Sequence, residues 1–328
     1  MKIKGLKLVQ NTIALRRNET TRSEAVAYFI RGIARELRFF PGFFAQLYSQ
    51  KFQKRKEIET IAYKVKHTGL LLNSYLKNNG KESYFDFNGA KLPDVSKDAE
   101  KLYMLGWVYD DVFLFPCFLH DNYDSLLVRY MDGYLREGPY GYVDGAFDVT
   151  VKEGDVVIDA GAWIGDFSAY AASKGASAYA FEPIEETFQW LCKTRDLNTG
   201  QIHPIKKGLG SSECELNMTM VAGNSAGNRV HTKDDKGVSF EKVEITTLDK
   251  FVEENKLTRI DFIKADIEGA ERDMLRGATK VLQKFAPKLA ICTYHLPDDP
   301  EVLEKIILDA NPNYKVVHLR HKLMAAVV

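Results

Sequence analysis

The stretch Asp159-Ala160-Gly161-Ala162-Trp163-Ile164-Gly165-Asp166 follows a short apolar run and precedes a helical pattern. Gly161 and Gly165 permit a tight turn and close approach of a ligand to the backbone. The free N–H groups of a helix that starts there would face an anionic group. Glu182 closes the next apolar run, and an acid at that place can accept both hydroxyls of a ribose. No Gly-Lys-Ser/Thr follows, so this is not a phosphate-binding loop. The Asp-x-Gly-x-x-x-Gly spacing also differs from the dinucleotide pattern Gly-x-Gly-x-x-Gly. Asp159 sets a negative charge at the loop, which suits a cofactor carrying an amine and a sulfonium and suits a pyrophosphate badly. The cofactor this implies is S-adenosylmethionine.

The elements around these residues alternate. Strands are expected over 155–160, 178–181, 202–205, 260–265 and 289–293, and helices over 167–173, 185–197, 247–254 and 270–285, with a further helix starting at Asp299-Pro300. This alternation with short loops means a mainly parallel sheet covered on both faces. Strands expected over 314–319 and 323–328 have only a short turn between them and must be antiparallel. Segments 213–221 and 238–245 look like an inserted hairpin. In an open α/β sheet the ligand sits at the carboxyl ends of the strands. That is where Gly161, Glu182 and the acid Asp266 fall.

The residues then resemble a known group. Val156-Val157-Ile158-Asp159-Ala160-Gly161-Ala162-Trp163-Ile164-Gly165-Asp166-Phe167-Ser168 is similar to the cofactor loop of class I methyltransferases. Ile260-Asp261-Phe262-Ile263-Lys264-Ala265-Asp266-Ile267-Glu268-Gly269-Ala270-Glu271, with Thr246-Thr247-Leu248-Asp249 and Tyr294-His295, resembles the FkbM family from about residue 138 onward. The resemblance implies a Rossmann-like α/β sheet, mainly parallel with an antiparallel C-terminal hairpin. It implies S-adenosylmethionine-dependent O-methylation, usually of hydroxyls on sugars, glycans or other natural products. By position Asp159, Gly161 and Gly165 would hold the methionine moiety, Glu182 the ribose, and Gly208 and Leu209 would lie near the adenine. Ala162, Trp163, Ser168, Pro183 and Asp266 complete the expected cofactor set. Trp163 departs from the family, which often has Asn there, and can pack over the cofactor or narrow the entrance.

Methyl transfer to a hydroxyl is an in-line displacement that needs positioning and often a base. His295, just past the fifth strand, is the first candidate base, since an unperturbed imidazole titrates near 6.5. Asp266 is the second, and could equally bind the cofactor's amine. Glu268 and Glu271 lie close by, and Glu271 could equally be an acid favoured by a helix N-terminus. Asp266, Glu268 and His295 could gather Mg²⁺, but three donors on two loops are a weak signal, and no metal is expected. Tyr140 and Tyr142 could form a lid or pack between domains.

Length and composition frame these readings. The 328 residues, 45% hydrophobic and 27% charged, exclude a disordered, collagen-like or coiled-coil chain and allow roughly two domains. The division expected is 1–135, basic and largely helical or mixed, and 136–328, the methyltransferase domain. The 45 basic and 45 acidic residues balance overall, yet 17 Lys/Arg stand against 6 Asp/Glu through Glu82. Helices are expected over 24–47 and 58–77. The Arg-Phe-Phe-Pro-Gly-Phe-Phe run at 38–44 suits a membrane surface or anionic carrier, although a solvated basic face is the plainer reading. Four scattered cysteines, no signal-peptide pattern and no long apolar run suggest a cytoplasmic protein, in peripheral contact with a membrane at most. A nucleic-acid methyltransferase ranks lower, because the second half lacks an Asn-Pro-Pro-aromatic tetrapeptide. The glycine spacing argues against an NAD-dependent dehydrogenase, and the intact loop argues against a non-catalytic adaptor. The partner expected is a small-molecule or glycan acceptor.

Overall fold

The computed structural model describes residues 72–114, 118–119, 139–198, 200–221, 224–232, 235, 239–319 and 321–328. The helix expected over 24–47, the start of that over 58–77, and the aromatic run at 38–44 lie outside these residues. The end of the second helix is replaced by a strand, β1 (Leu76–Asn78). It pairs with β2 (Ser83–Phe87) and β3 (Ala90–Pro93) in an antiparallel sheet. Helix α1 (Ala99–Val108) continues into a π-helical turn, Tyr109–Leu114. A second small sheet joins β4 (Phe118–Leu119), β5 (Tyr142–Asp144) and β6 (Phe147–Val149).

The second half folds largely as its alternation predicts. In chain order come β7 (Val156–Ala160), α2 (Asp166–Ser173), β8 (Ser177–Phe181), α3 (Glu185–Leu197) and β9 (Ile202–Ile205). An inserted unit follows: β10 (Gly208–Leu209), β11 (Cys214–Thr219), β12 (Arg229–Val230) and β13 (Phe240–Thr246). The expected hairpin is β11 with β13, widened to four strands by β10 and β12. Then come α4 (Leu248–Glu254), β14 (Phe262–Ala265), α5 (Glu271–Arg276), α6 (Thr279–Lys284), β15 (Lys288–Cys292), α7 (Asp299–Ala310), β16 (Tyr314–His318) and β17 (Lys322–Val327). Thr247 caps α4 by accepting the Lys250 N–H.

One helix was expected over 270–285, and two are found. Asp249 divides them: its N–H binds the Gly277 carbonyl, and its carboxylate accepts the Lys280 and Val281 N–H groups, capping α6.

The large sheet has the order β16-β17-β15-β14-β7-β8-β9. Its middle pairs are parallel, and β17 runs antiparallel between β15 and β16. The order reverses at β7, because the chain builds β8 and β9 on one side and returns to β14 and β15 on the other. A crevice opens at such a switch point. Alternate side chains face opposite layers. Ile158, Ile263 and Ile291 pack under α4 to α7, while Val157, Phe262 and Ala290 pack beneath α2 and β6. Residues 72–114 share a third apolar cluster with Ala162, Trp163, Ile164 and Leu191. The described part of the N-terminal region is therefore mixed, three strands followed by a helix and its π-helical turn, and packs directly on the loop after β7. Among the described residues no helix is long and apolar enough to cross a membrane.

Candidate active site

Register makes the site. Ala160 pairs with Ala265, so the glycine loop after β7 and Asp266 after β14 emerge side by side. The Asp266 N–H binds the Ala160 carbonyl at 3.1 Å. Gly161 has φ +74°, and a Cβ there would collide with the Asp266 carbonyl. Gly165, φ +89°, enters α2 where a Cβ would meet Leu191 and Thr194 of α3. Both positions need glycine for conformation and for space.

The expectation that Asp159 helps to hold the methionine moiety meets a carboxylate that is 0% exposed. It accepts from Ser168 Oγ at 2.6 Å and pairs with Lys264 Nζ at 3.1 Å. Lys264 donates to the Gly161 carbonyl at 2.5 Å. Asp159 and Ser168 thus act on the loop from beneath. Burial pulls the Lys264 pKa down, but Asp159, Asp266 and Asp166 hold it well above the ordinary lysine value. Asp166, at the start of α2, is pushed up to about 7 by burial, with Lys264 opposing and Asp159 adding.

Glu182 ends β8 with two structural tasks. One oxygen accepts from the Ile184 N–H and Thr187 Oγ1, the other from the Trp163 N–H at 3.0 Å. Burial raises its pKa to about 7 against those three bonds. Trp163 adopts φ +47° to make its contact. Its ring is 6% exposed, lies in the cluster shared with residues 72–114, and donates to Ser225 Oγ at 3.1 Å. The ring is a core element; Ala162 is fully buried beside it. Pro183 is half-buried and faces Gly208 across the rim, where β10 pairs with β13. Leu209 is buried, so only its backbone is available at that edge.

On the other side of Gly161, Asp266 accepts from Tyr140 Oη at 2.7 Å and Tyr294 Oη at 3.1 Å. Burial would raise its pKa, but Lys264, His295 and Lys322 together lower it to about 2. Lys322, almost fully buried, lies 4.1 Å from the Tyr140 ring centroid. Tyr140 therefore reaches the site, whereas Tyr142 lies in the core against Phe147.

His295 Nδ1 stands 2.9 Å from Glu271 Oε1, and Nε2 stands 3.6 Å from Glu268 and 3.7 Å from Asp266. Burial would lower the imidazole pKa; Glu268, Glu271 and Asp266 outweigh it and raise it to about 11. This corrects the expectation of a base, because an imidazolium has no lone pair to accept a proton. Glu271 is fully buried and also accepts the Ile267 and Gly269 N–H groups, so it organises the loop after β14.

Lys264, Lys322 and the structural bonds of Glu182 are the features that sequence reasoning missed. A lysine inside the apolar strand Phe262–Ala265 was a readable signal, since a buried charge requires a partner.

A parallel sheet with an antiparallel strand inserted near one edge, a glycine loop after its central strand and an acid after the next define a class I methyltransferase. Residues 159–316, just under half of the chain, match the family described as the methyltransferase FkbM domain. The hexuronic acid methyltransferase AglP of Haloferax volcanii is 29% identical over 170 residues, 51% of this chain and 67% of that protein. Methyltransferase 1 of Beauveria bassiana is 28% identical over 158 residues, 42% of this chain and 64% of that protein. The chain thus spans about two thirds of the length of these curated relatives. The crystal structure of methyltransferase FkbM from Methylobacillus flagellatus aligns over 79% of this chain and 58% of that one, at 19% identity and a TM-score of 0.44.

Proposed function

We propose that the protein transfers a methyl group from S-adenosylmethionine to a hydroxyl of a sugar, glycan or other natural product. The observation that carries this reading is the contact of the glycine loop with Asp266, which sets a cofactor cradle against a polar cluster. The donor set fits the cofactor. The Glu182 oxygen bound to the Trp163 N–H keeps a lone pair for a ribose hydroxyl, and the Pro183–Gly208 rim presents backbone beside it. When bound, the cofactor supplies a methyl carbon on a sulfonium.

The acceptor's oxygen would take that carbon as the carbon–sulfur electron pair leaves on sulfur, and the hydroxyl proton would pass by way of Asp266 to solvent. Asp266, ionised across the working pH range, is a weak base and a firm hydrogen-bond acceptor. Its part is to hold the acceptor hydroxyl, while Tyr140 and Tyr294 fix the carboxylate. The imidazolium of His295 adds positive charge beside the hydroxyl and favours its deprotonated form.

The hexuronic acid named for the Haloferax relative makes a uronic-acid glycan the first acceptor to test. The 17 basic against 6 acidic residues through Glu82 support an anionic acceptor or carrier, or peripheral contact with an anionic membrane surface. Calorimetry with S-adenosylhomocysteine tests the cofactor: binding by the wild type and loss in Gly161→Arg are expected. Labelled S-adenosylmethionine offered with uronic-acid glycans, lipid-linked glycans and RNA tests the acceptor. Labelling of RNA alone would overturn the glycan reading.

A further inference from the structure

The groups Asp266, Glu268 and His295 offer three ligand atoms within 4.8 Å of one another. Their spacing is unlike that of a hydrogen-bonded cluster. His295 Nε2 lies 3.6 Å from Glu268 Oε2 and 3.7 Å from Asp266 Oδ1, both beyond hydrogen-bond range. Two donors each about 2.1–2.2 Å from one ion lie about 3.0–3.6 Å apart, close to what is found. The His295 side chain is only 7% exposed, and neither ring nitrogen makes a well-formed hydrogen bond, although Nδ1 lies 2.9 Å from Glu271. A buried ring nitrogen aimed at two carboxylates, with a gap too wide for hydrogen bonds, leaves room that a cation can fill in place of the Nε2 proton.

The surroundings are those of a metal ligand. Buried Glu271 faces Nδ1 at 2.9 Å, the carboxylate–imidazole arrangement that orients ligating histidines and leaves Nε2 for the ion. Asp266 is fixed by Tyr140 and Tyr294. Glu268 is presented on backbone at φ +53°, a strained conformation for a non-glycine residue that the fold maintains. The alternative grouping, Glu271, His295 and Asp299, is already committed. Glu271 accepts two N–H groups, and Asp299 accepts from Arg272 Nε and the Leu296 N–H.

We propose that Asp266, Glu268 and His295 bind a divalent cation of the Mn²⁺/Mg²⁺ class, which takes the place of the Nε2 proton of His295, released to solvent, and holds the acceptor hydroxyl. Two carboxylates with one imidazole suit such an ion better than a thiolate-seeking one. A hydroxyl held there would be made more acidic by the ion's charge, so that its proton could pass to solvent as the oxygen attacks. This replaces the metal-free expectation from the sequence. The cation's place in the chemistry rests on the methyl-transfer reading; its binding does not.

The test is a titration of the full chain, stripped with chelator, with Mn²⁺ followed by the electron-spin signal of the free ion. Saturable binding of one Mn²⁺ per chain, displaced by excess Mg²⁺, is expected. Glu268→Gln and Asp266→Asn should each weaken it at least about tenfold, and Glu271→Gln about tenfold through the ring it orients. Circular dichroism identifies any variant that has not folded; Glu268, with its side chain 28% exposed, is the safest of the three. Absence of saturable binding, or equal binding by wild type and the folded Glu268→Gln variant, overturns the proposal. Calorimetry with S-adenosylhomocysteine on the same preparation separates the two readings. Cofactor bound without Mn²⁺ sinks the cation site alone, whereas Mn²⁺ bound without cofactor supports the site and sinks the methyl-transfer reading.

Discussion

Lys264 and Asp159, on adjacent strands and both buried, form an ion pair of 3.1 Å directly beneath the glycine loop. The same ammonium holds the Gly161 carbonyl. The acid that opens the loop motif therefore shapes the loop from inside the protein. Removing one partner of a buried pair leaves an uncompensated charge, which costs about 3–5 kcal/mol. Lys264→Met should lose that much in urea unfolding, and Lys264→Met with Asp159→Asn should recover most of it. If the double variant is as unstable as the single one, the pair is not what the lysine contributes.

Gly161→Ala combines a positive φ with a collision against the Asp266 carbonyl. Strain of this kind costs about 1–3 kcal/mol. The variant should melt lower and bind S-adenosylhomocysteine more weakly, since the loop can relax only by moving away from Asp266. Unchanged melting and binding would show that the loop tolerates a side chain.

Glu182 gives the pH dependence. Its folded pKa of about 7 lies above the ordinary 4.5, so the neutral form is favoured by folding. The stability this contributes is complete below pH 4.5 and is lost as pH rises through 7. Cofactor binding runs the other way, because an ionised carboxylate is the better acceptor for ribose hydroxyls. Affinity for S-adenosylhomocysteine should rise up to about tenfold from pH 6 to 8, following the ionised fraction. Glu182→Gln should flatten the affinity profile and reduce the stability slope, leaving the share of Asp166, whose carboxyl is also raised to about 7; an affinity slope that survives the substitution would assign it to another group.

Trp163 separates a core role from a cofactor contact. Its ring lies among Leu72, Tyr75 and Phe85, and its N–H rather than its ring meets Glu182. Trp163→Phe should lose stability by about 1–2 kcal/mol, through a smaller ring and the missing bond to Ser225. S-adenosylhomocysteine affinity should stay within about twofold of wild type. A large loss of affinity at unchanged stability would put the ring against the cofactor instead.

The alternation of strands and helices from Val156 onward, the antiparallel ending and the loop Asp159 to Gly165 were legible in the chain, because period and turn chemistry are local. Local signals also identified Asp266, His295 and Glu182 as strand-end groups. They could not say what each faces. Only the β7–β14 register brings Gly161 against Asp266. Only packing turns Trp163 into the core formed with residues 72–114. The break at Gly277 depends on Asp249, distant in sequence, taking the Gly277 carbonyl and capping α6. His295 illustrates the division most plainly. Its type suggested a base titrating near neutrality, but three carboxylates from a neighbouring strand end and loop decide its charge. The electrostatic environment of a buried group is a sum over neighbours that the chain brings together only when folded. Sequence determined which elements form and which residues stand at their ends; tertiary structure decided their partners, and with them their protonation and their chemistry.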